Sequence, residues 1–332
     1  MGVVAPPTAF ALRSSRDQPS SQATSHGQIP AASRRVSSMV TSHQRSWHCH
    51  LAALLFALTL GPLLPGQSGS LAIKSGESIA FLGDSITAAG ARGPAGYCQL
   101  VVRGLALAGV RTKMIPAGVS GHKSNQMLER LQRDVLAKKP DWMTLSCGVN
   151  DVWHGKNGVL LEDYKTNIAQ IVDQTQAAGI KVMILTSTMI HEDASNDQNT
   201  RLSKYNAFLK KLAKEKQCRF ADLYSDMQSS LIAGDGKPHG NQLTTDGVHM
   251  NTLGNIMMAT GVLRAFGMSK RDISKSERDF ESIPNACQVR ADCKMTVVAY
   301  KQLRAAATKA GVTVQYFVRD ALQKRVAEIL KK

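Results

Sequence analysis

Apolar positions along the chain fall into short runs separated by longer amphipathic stretches. The runs that predict strands are "SIAFLG" (78–83), "RTKMIP" (111–116), "WMTLSC" (142–147), "IKVMILTS" (180–187) and a short one at 218–222. Between them, 96–108, 123–137, 162–178, 200–216 and 253–266 carry apolar residues at helical spacing. Strands alternating with helices in this way predict βαβ units, and hence a parallel sheet covered on both faces. Pro140 in "KKPDW" and Gly179 in "AAGIK" punctuate two of the helix-to-strand transitions. Residues 188–199 and 234–248 are polar and predict loops. No internal repeat is visible.

The pattern changes on both sides of this body. Residues 268–296 read as polar and irregular, and 297–332 then give helical spacing twice, broken at "AGVT", where Thr313 can cap the second helix. At the other end, residues 1–50 are rich in Ser, Gln, His and Arg with no apolar period. They lead into "LAALLFALTLGPLLPGQSGSLA" (51–72), whose apolar stretch Leu51–Leu60 is too short for a comfortable membrane span. Arg45 before it and the small, polar Gly66–Ser70 after it give the order of a signal peptide. Counted from Met39, the charged segment has an ordinary length. The expected division is therefore a leader and signal peptide over 1–72, a globular α/β domain over 73–267, and a basic, mainly helical extension over 268–332. Such a leader implies export, to the cell envelope or beyond it, with no stable membrane span once it is removed.

The 332 residues suffice for one large domain and an appendage. The net charge of +16 is unevenly placed, with five arginines against one acid in 1–50 and 14 basic against 7 acidic residues in 270–332. That balance suits an anionic surface or polymer, although most such charge is simply solvated. Of the six cysteines, Cys49 lies in the leader, which leaves an odd number: Cys98, Cys147, Cys218, Cys287 and Cys293. The first three sit in apolar contexts and are expected to act as small core residues. Cys287 and Cys293, six apart in a loop-like stretch, are candidates for a local disulfide in an exported protein. No paired CxxC or His-x-x-x-His spacing occurs, so a structural zinc site is not expected. Oligomeric state is not legible.

Candidate chemistry lies at the strand ends. Strand 78–83 runs straight into Gly83-Asp84-Ser85. These are βα-turn residues, but a serine at the carboxyl end of a parallel strand, facing a helix start, also sits where open α/β sheets bind ligands. A nucleophilic serine needs a base, and the base needs an acid to fix its tautomer. "TTDGVHMNTLG" offers Asp246 and His249, three apart, so that the carboxylate can meet one ring nitrogen while the other points outward. In "LSCGVNDVWHG", strand 142–147 ends on Gly148-Val149-Asn150-Asp151, and an asparagine there can donate its amide to a developing oxyanion. In "AGVSGHKSN", Gly118 and Gly121 free the backbone so that an N–H can point to the same place. Each block alone is a turn signal; their occurrence in this order in one sheet is more than that.

Together these blocks resemble the SGNH hydrolases, or GDSL esterase/lipase family, over about residues 74–267. The resemblance implies a three-layer α/β/α, flavodoxin-like fold with five parallel strands, to which the C-terminal helical appendage is added. It implies Ser85 as nucleophile and as backbone oxyanion donor, Gly121 as a second backbone donor and Asn150 as a side-chain donor. Asp246 and His249 would complete the triad, with Gly83, Asp84, Gly148 and Asp151 as motif neighbours, and no metal or organic cofactor. Two departures bear on substrate preference: Pro116 stands where the family often carries Asn, and His122 and Lys123 stand where acidic residues or Thr are usual. The activity implied is an exported serine esterase acting on short acyl groups, acetyl first, of small-molecule or carbohydrate esters, because no long apolar lid is visible. The alternatives are a lysophospholipase or thioesterase and, from another class, a non-catalytic carbohydrate-binding or interaction protein. The intact Ser85, Asp246 and His249 speak against the latter. In the extension, "KMTVVAY…GVTVQYFVRDALQKR" resembles ribbon-helix-helix DNA-binding modules in part. An exported protein seldom meets DNA, so no nucleic-acid partner is expected and a packing or docking role is.

Overall fold

Ser78–Gly83 forms strand β1, and Ile79, Ala80, Phe81 and Leu82 are all fully buried. A parallel strand covered on both faces has no polar side, which is why this run is continuous and not alternating. The computed structural model describes residues 71–232, 241–284, 286–287 and 293–331. After β1 come α1 (Ser85–Gly90), α2 (Tyr97–Leu107), β2 (Lys113–Gly118), α3 (Ser124–Asp134) and β3 (Trp142–Ser146). Then follow α4 (Val149–Trp153), α5 (Leu161–Ala177), β4 (Lys181–Leu185), α6 (Asp197–Glu215), β5 (Arg219–Ala221), α7 (Leu223–Ile232) and α8 (Thr252–Ala265). The last elements are α9 (Lys270–Glu281), α10 (Val297–Lys309) and α11 (Val314–Leu330).

The five strands pair in parallel in the order β2-β1-β3-β4-β5. This is the flavodoxin-like order. Helices α2, α8 and α9 pack together in one layer, and α3, α5 and α6 in another. The chain runs outward from β1 to β2 and then returns to place β3 on the other side of β1. That reversal opens a crevice at the carboxyl ends of β1 and β3, the usual ligand position in such sheets.

Several elements differ from the expectation. The second strand is displaced two residues, from 111–116 to Lys113–Gly118, and continues through Pro116. Because β2 is an edge strand, the missing proline N–H deprives no neighbour of a partner. The short helices α1 and α4 and the ten-residue α7 carry too little pattern to be read from spacing. The stretch 268–296, expected to be irregular, contains α9, capped by Ser269, whose side chain accepts the Asp272 N–H. The buried face of α9 is only Ile273, Ser276 and Phe280, a stripe hidden by nine other positions that are mostly charged or polar. Each of its two large apolar side chains contributes about 1.5–3 kcal/mol by burial in the main core.

Helices α10 and α11 match the two predicted helices, and Thr313 caps the second by accepting from the Tyr316 N–H at 3.2 Å. Among the described residues from 293 to 331, only Ala307 is buried. Cys98 and Cys147 are buried as expected, and Cys218 partly so. Cys287 and Cys293 are exposed free thiols, so the local disulfide is not formed. The predicted leader lies, but for its last two residues, outside the described residues, as does the first part of the loop at 234–248, up to residue 240. Among the described residues, no helix is long and apolar enough to cross a membrane.

Candidate active site

Asp84 ends β1 by capping α1: its carboxylate accepts the Ile86 N–H at 2.9 Å. Ser85 therefore sits at the first turn of a helix, beside the crevice. Among the described residues, neither the Ser85 nor the Gly121 backbone N–H has a protein acceptor. Asp84 itself is buried, and burial pushes its carboxyl up to about 6, although the Ile86 N–H opposes this.

The partners of Ser85 arrive from the loop before α8. One carboxylate oxygen of Asp246 accepts the backbone N–H groups of Val248 at 3.0 Å and His249 at 2.8 Å, a local turn of the kind aspartate favours. The other oxygen is thereby aimed at His249 Nδ1, 2.7 Å away. With the ring proton donated from Nδ1, Nε2 is left as an acceptor, and the Ser85 hydroxyl lies 2.8 Å from it. Burial alone would raise the Asp246 carboxyl, but the His249 N–H, the imidazole and the Val248 N–H together hold it below its ordinary value. It is a carboxylate at neutral pH, as a tautomer-fixing group must be. The Trp153 ring approaches the His249 imidazole edge-on, with centroids 6.5 Å apart. Ser85, His249 and Asp246 thus form one continuous line of hydrogen bonds.

The third block is set by Gly148, which turns the chain at φ 137° between β3 and α4. A Cβ there would fall 2.4 Å from Ser187 Oγ, so backbone conformation and packing both require glycine. Asn150 is buried, and its amide donates to the His122 carbonyl at 3.2 Å, with a longer approach of 3.4 Å to Asp84. Its side-chain oxygen faces His154 Nε2 at 3.2 Å. Asp151 points elsewhere: it accepts the Ser124 N–H at 3.0 Å and so fastens the start of α3 to α4. Gly121 lies in the exposed turn after β2, at φ 77°.

Arg130 was not among the expected site residues. It is a buried arginine on α3 whose guanidinium donates to the Gly83 carbonyl at 2.8 Å and the Ala117 carbonyl at 2.8 Å, the ends of β1 and β2. It also donates to His122 Nδ1 at 3.2 Å and pairs with Asp134 at 3.0 Å. Burial and the Arg130 charge lower the His122 pKa, so this imidazole is neutral with its proton on Nε2. One cation therefore joins two strand ends to the residue whose carbonyl receives Asn150. The signal was present in the sequence: Arg130 falls three residues after Met127 and one before Leu131, both buried on the inward face of α3.

An open groove of about 770 Å³ runs past Asp246, lined also by Gly93, Gly96, Thr245, Met250 and Asn255. Ser85 is not on its wall. Among the described residues, no group of three or more His, Cys, Asp or Glu side chains is arranged to hold a metal ion. The arrangement can take a proton from the Ser85 hydroxyl at one end of the imidazole while a carboxylate steadies the other end.

Residues 81–255 match the GDSL-like lipase/acylhydrolase family. The chain is similar to an acetylxylan esterase of Geobacillus stearothermophilus, 28% identical over 217 residues that cover 59% of this chain and 96% of that one. The solved structure of Axe2, an acetylxylan esterase from the same organism, aligns with a TM-score of 0.54 at 26% identity, over 59% of this chain and 97% of the other. That of the acetyl xylan esterase AlAXEase aligns with a TM-score of 0.53 at 34% identity, over 57% and 98%.

Proposed function

The chain belongs to the GDSL-like lipase/acylhydrolase family and hydrolyses ester bonds, and on that premise we propose that it is an exported serine esterase removing acetyl and other short acyl groups from carbohydrate. The observation that carries the proposal is the unbroken line from Asp246 through His249 to Ser85, with separations of 2.7 and 2.8 Å. Similarity to acetylxylan esterases supports acetyl as the acyl group and an acetylated polysaccharide as the substrate class. The groove beside Asp246, walled by glycine backbone and by Thr245 and Asn255, offers polar surface to a sugar chain.

In this reading Ser85 Oγ attacks the ester carbonyl carbon while its proton passes to His249 Nε2. The carbonyl electron pair becomes an oxyanion, received by the Ser85 and Gly121 backbone N–H groups and the Asn150 amide. Asp246 steadies the imidazolium. The C–O bond to the sugar then breaks, and the leaving oxygen takes the proton from His249. Water repeats the cycle on the acyl-enzyme: His249 accepts its proton, hydroxide attacks, and Ser85 leaves reprotonated as the free acid is released.

The test is a panel of aryl acetates, acetylated xylo-oligosaccharides, longer aryl esters and an acyl thioester, run with the wild type and Ser85→Ala. Acetyl esters should turn over fastest, and Ser85→Ala should lower kcat by several orders of magnitude with its melting temperature unchanged. Near-normal turnover by a folded Ser85→Ala protein would remove Ser85 from the chemistry. Preference for the long ester or the thioester would overturn the acetyl assignment. Export is tested separately, by N-terminal sequencing of protein from the native cell. The mature chain should begin near residues 66–74, and an intracellular mature chain retaining residues 1–50 would overturn the export reading.

A further inference from the structure

The β4–α6 loop holds two consecutive non-glycine residues in the left-handed region, His191 at φ 61° and Glu192 at φ 51°. Such backbone is strained for residues bearing a Cβ, and two in succession persist only where surrounding contacts determine them. Those contacts are present. The fully buried Asn199 accepts the Ile190 N–H at 2.9 Å and donates to the Ile190 carbonyl at 2.7 Å and to that of Asp193 at 2.6 Å. Asn196 adds a second donor to the Ile190 carbonyl at 2.8 Å. The loop is thus fastened at both ends of the strained pair.

The strain delivers the Glu192 carboxylate to a segment 50 residues later in the chain. One of its oxygens accepts the backbone N–H groups of Leu243 at 2.9 Å and Thr244 at 2.7 Å, and the Thr244 hydroxyl at 2.6 Å. The other accepts the Gln242 N–H at 2.7 Å. Beside it, the His191 N–H donates to the Gly247 carbonyl at 2.7 Å. Gly247 is at φ 93°, and a Cβ on it would lie 2.6 Å from the His191 ring, so the two loops meet backbone to side chain. The gripped segment closes on itself through a bridge between Thr244 and Met250, and the Thr245 N–H donates to the His249 carbonyl. At its tip are Asp246 and His249.

From this geometry we infer that Glu192 is a positioning residue: it fixes the loop carrying Asp246 and His249 to the end of β4, in register with Ser85 at the end of β1. Ser85 is placed by the sheet itself. Asp246 and His249 are on no strand, and local turn bonds orient them to each other but not to the serine. Three successive N–H groups gathered by one carboxylate supply that missing constraint. The left-handed pair is the backbone conformation that brings the carboxylate there.

The inference rests on the esterase reading, and the test separates the two. Glu192→Gly removes the carboxylate and relieves the strained φ, so a residue serving only the loop's conformation would be replaced without loss. Glu192→Gln keeps one acceptor oxygen but turns an amide N–H₂ toward one of the donors. On a soluble aryl acetate, below the melting temperature of each variant, Glu192→Gly should lose about 10²-fold in kcat, the scale of an ångström of misplacement. KM should stay within about twofold, and Glu192→Gln should recover part of the loss. Amide exchange should accelerate over 242–249 in both variants and remain slow in β1 and β3. A Glu192→Gly enzyme with wild-type kcat overturns the inference, as does unchanged exchange over 242–249. If Glu192→Gly does not fold, Glu192→Gln decides by the same two readouts. If the wild type hydrolyses no ester, the esterase reading falls, and amide exchange still decides whether Glu192 holds this loop.

Discussion

The side-chain amide of Asn150 donates to the main-chain oxygen of His122 at 3.2 Å, and so joins the turn after β3 to the turn after β2. A brace and an oxyanion donor predict different losses. A brace alone costs about 1 kcal/mol of stability when removed. An oxyanion donor costs about 10²–10³-fold in kcat, with KM little moved, because it acts on the tetrahedral oxygen and not on the bound ester. Asn150→Ala is expected to show both. Asn150→Asp should be worse, since it places a second carboxylate against the His122 carbonyl and Asp84. Steady-state kinetics with a melting temperature for each variant separates the terms. Normal kcat in a destabilised Asn150→Ala enzyme would leave the oxyanion to Ser85 and Gly121.

Arg130→Lys is not a conservative change at this site. A single ammonium cannot serve the Gly83 and Ala117 carbonyls, His122 and Asp134 in the geometry the guanidinium uses. Arg130→Met should destabilise by about 3 kcal/mol, the low end for breaking a buried pair, because Asp134 keeps Arg133. Arg130→Lys should fall between that variant and the wild type. Urea denaturation measures both, and an unchanged midpoint for Arg130→Met would contradict the assignment.

Asp84 gives stability a pH dependence of definite sign. Burial raises its carboxyl from 3.8 to about 6, so between these values the folded chain binds a proton that the unfolded chain has released. This contribution is complete below about pH 4 and is lost as pH rises through 6, and ionising the buried group at pH 7 costs on the order of 3 kcal/mol. Asp84→Asn abolishes the titration. The melting temperature of Asp84→Asn relative to the wild type should therefore rise from pH 4 to pH 7. A difference independent of pH would mean that Asp84 does not titrate in that window.

The two ends of the C-terminal region should behave differently on truncation. Deleting 293–332 removes only one buried described side chain, Ala307, and should leave aryl acetate hydrolysis within about twofold of the full chain. Ending the chain at Met268 also strips α9 and with it the buried Phe280. Deleting a buried phenylalanine side chain alone costs about 3–5 kcal/mol, so this shorter protein should be unfolded or melt far lower. Thermal melts and one activity assay on the two truncations check both statements.

What was legible in the sequence was whatever depends on local pattern. The apolar run 78–83 and its abrupt end at Gly83-Asp84-Ser85 located both an interior strand of the sheet, β1, and the hydroxyl that meets His249. The Asp246–His249 spacing gave their mutual contact, because an aspartate turn closes over three residues. Elements whose identity depends on distant neighbours were not legible. β2 runs through Pro116 only because it lies at the edge of the sheet, and α9 is a helix with two large apolar anchors. Glu192 read as one acid in a polar loop, since the three residues that donate to it lie 50 to 52 residues away. Arg130 could have been found by asking why a cation occupies the apolar stripe of α3.

Ser85 and His249 are separated by 164 residues, and all five strands are complete before the second of them is reached. No fragment of the sheet contains the pair. A partly folded chain, or one still being made, can hold the hydroxyl or the imidazole but cannot bring them to 2.8 Å. Closing a loop of that span is among the latest and slowest events open to a chain. Recovery of ester hydrolysis during refolding should therefore trail the return of secondary structure, and its amplitude counts only molecules whose topology is finished.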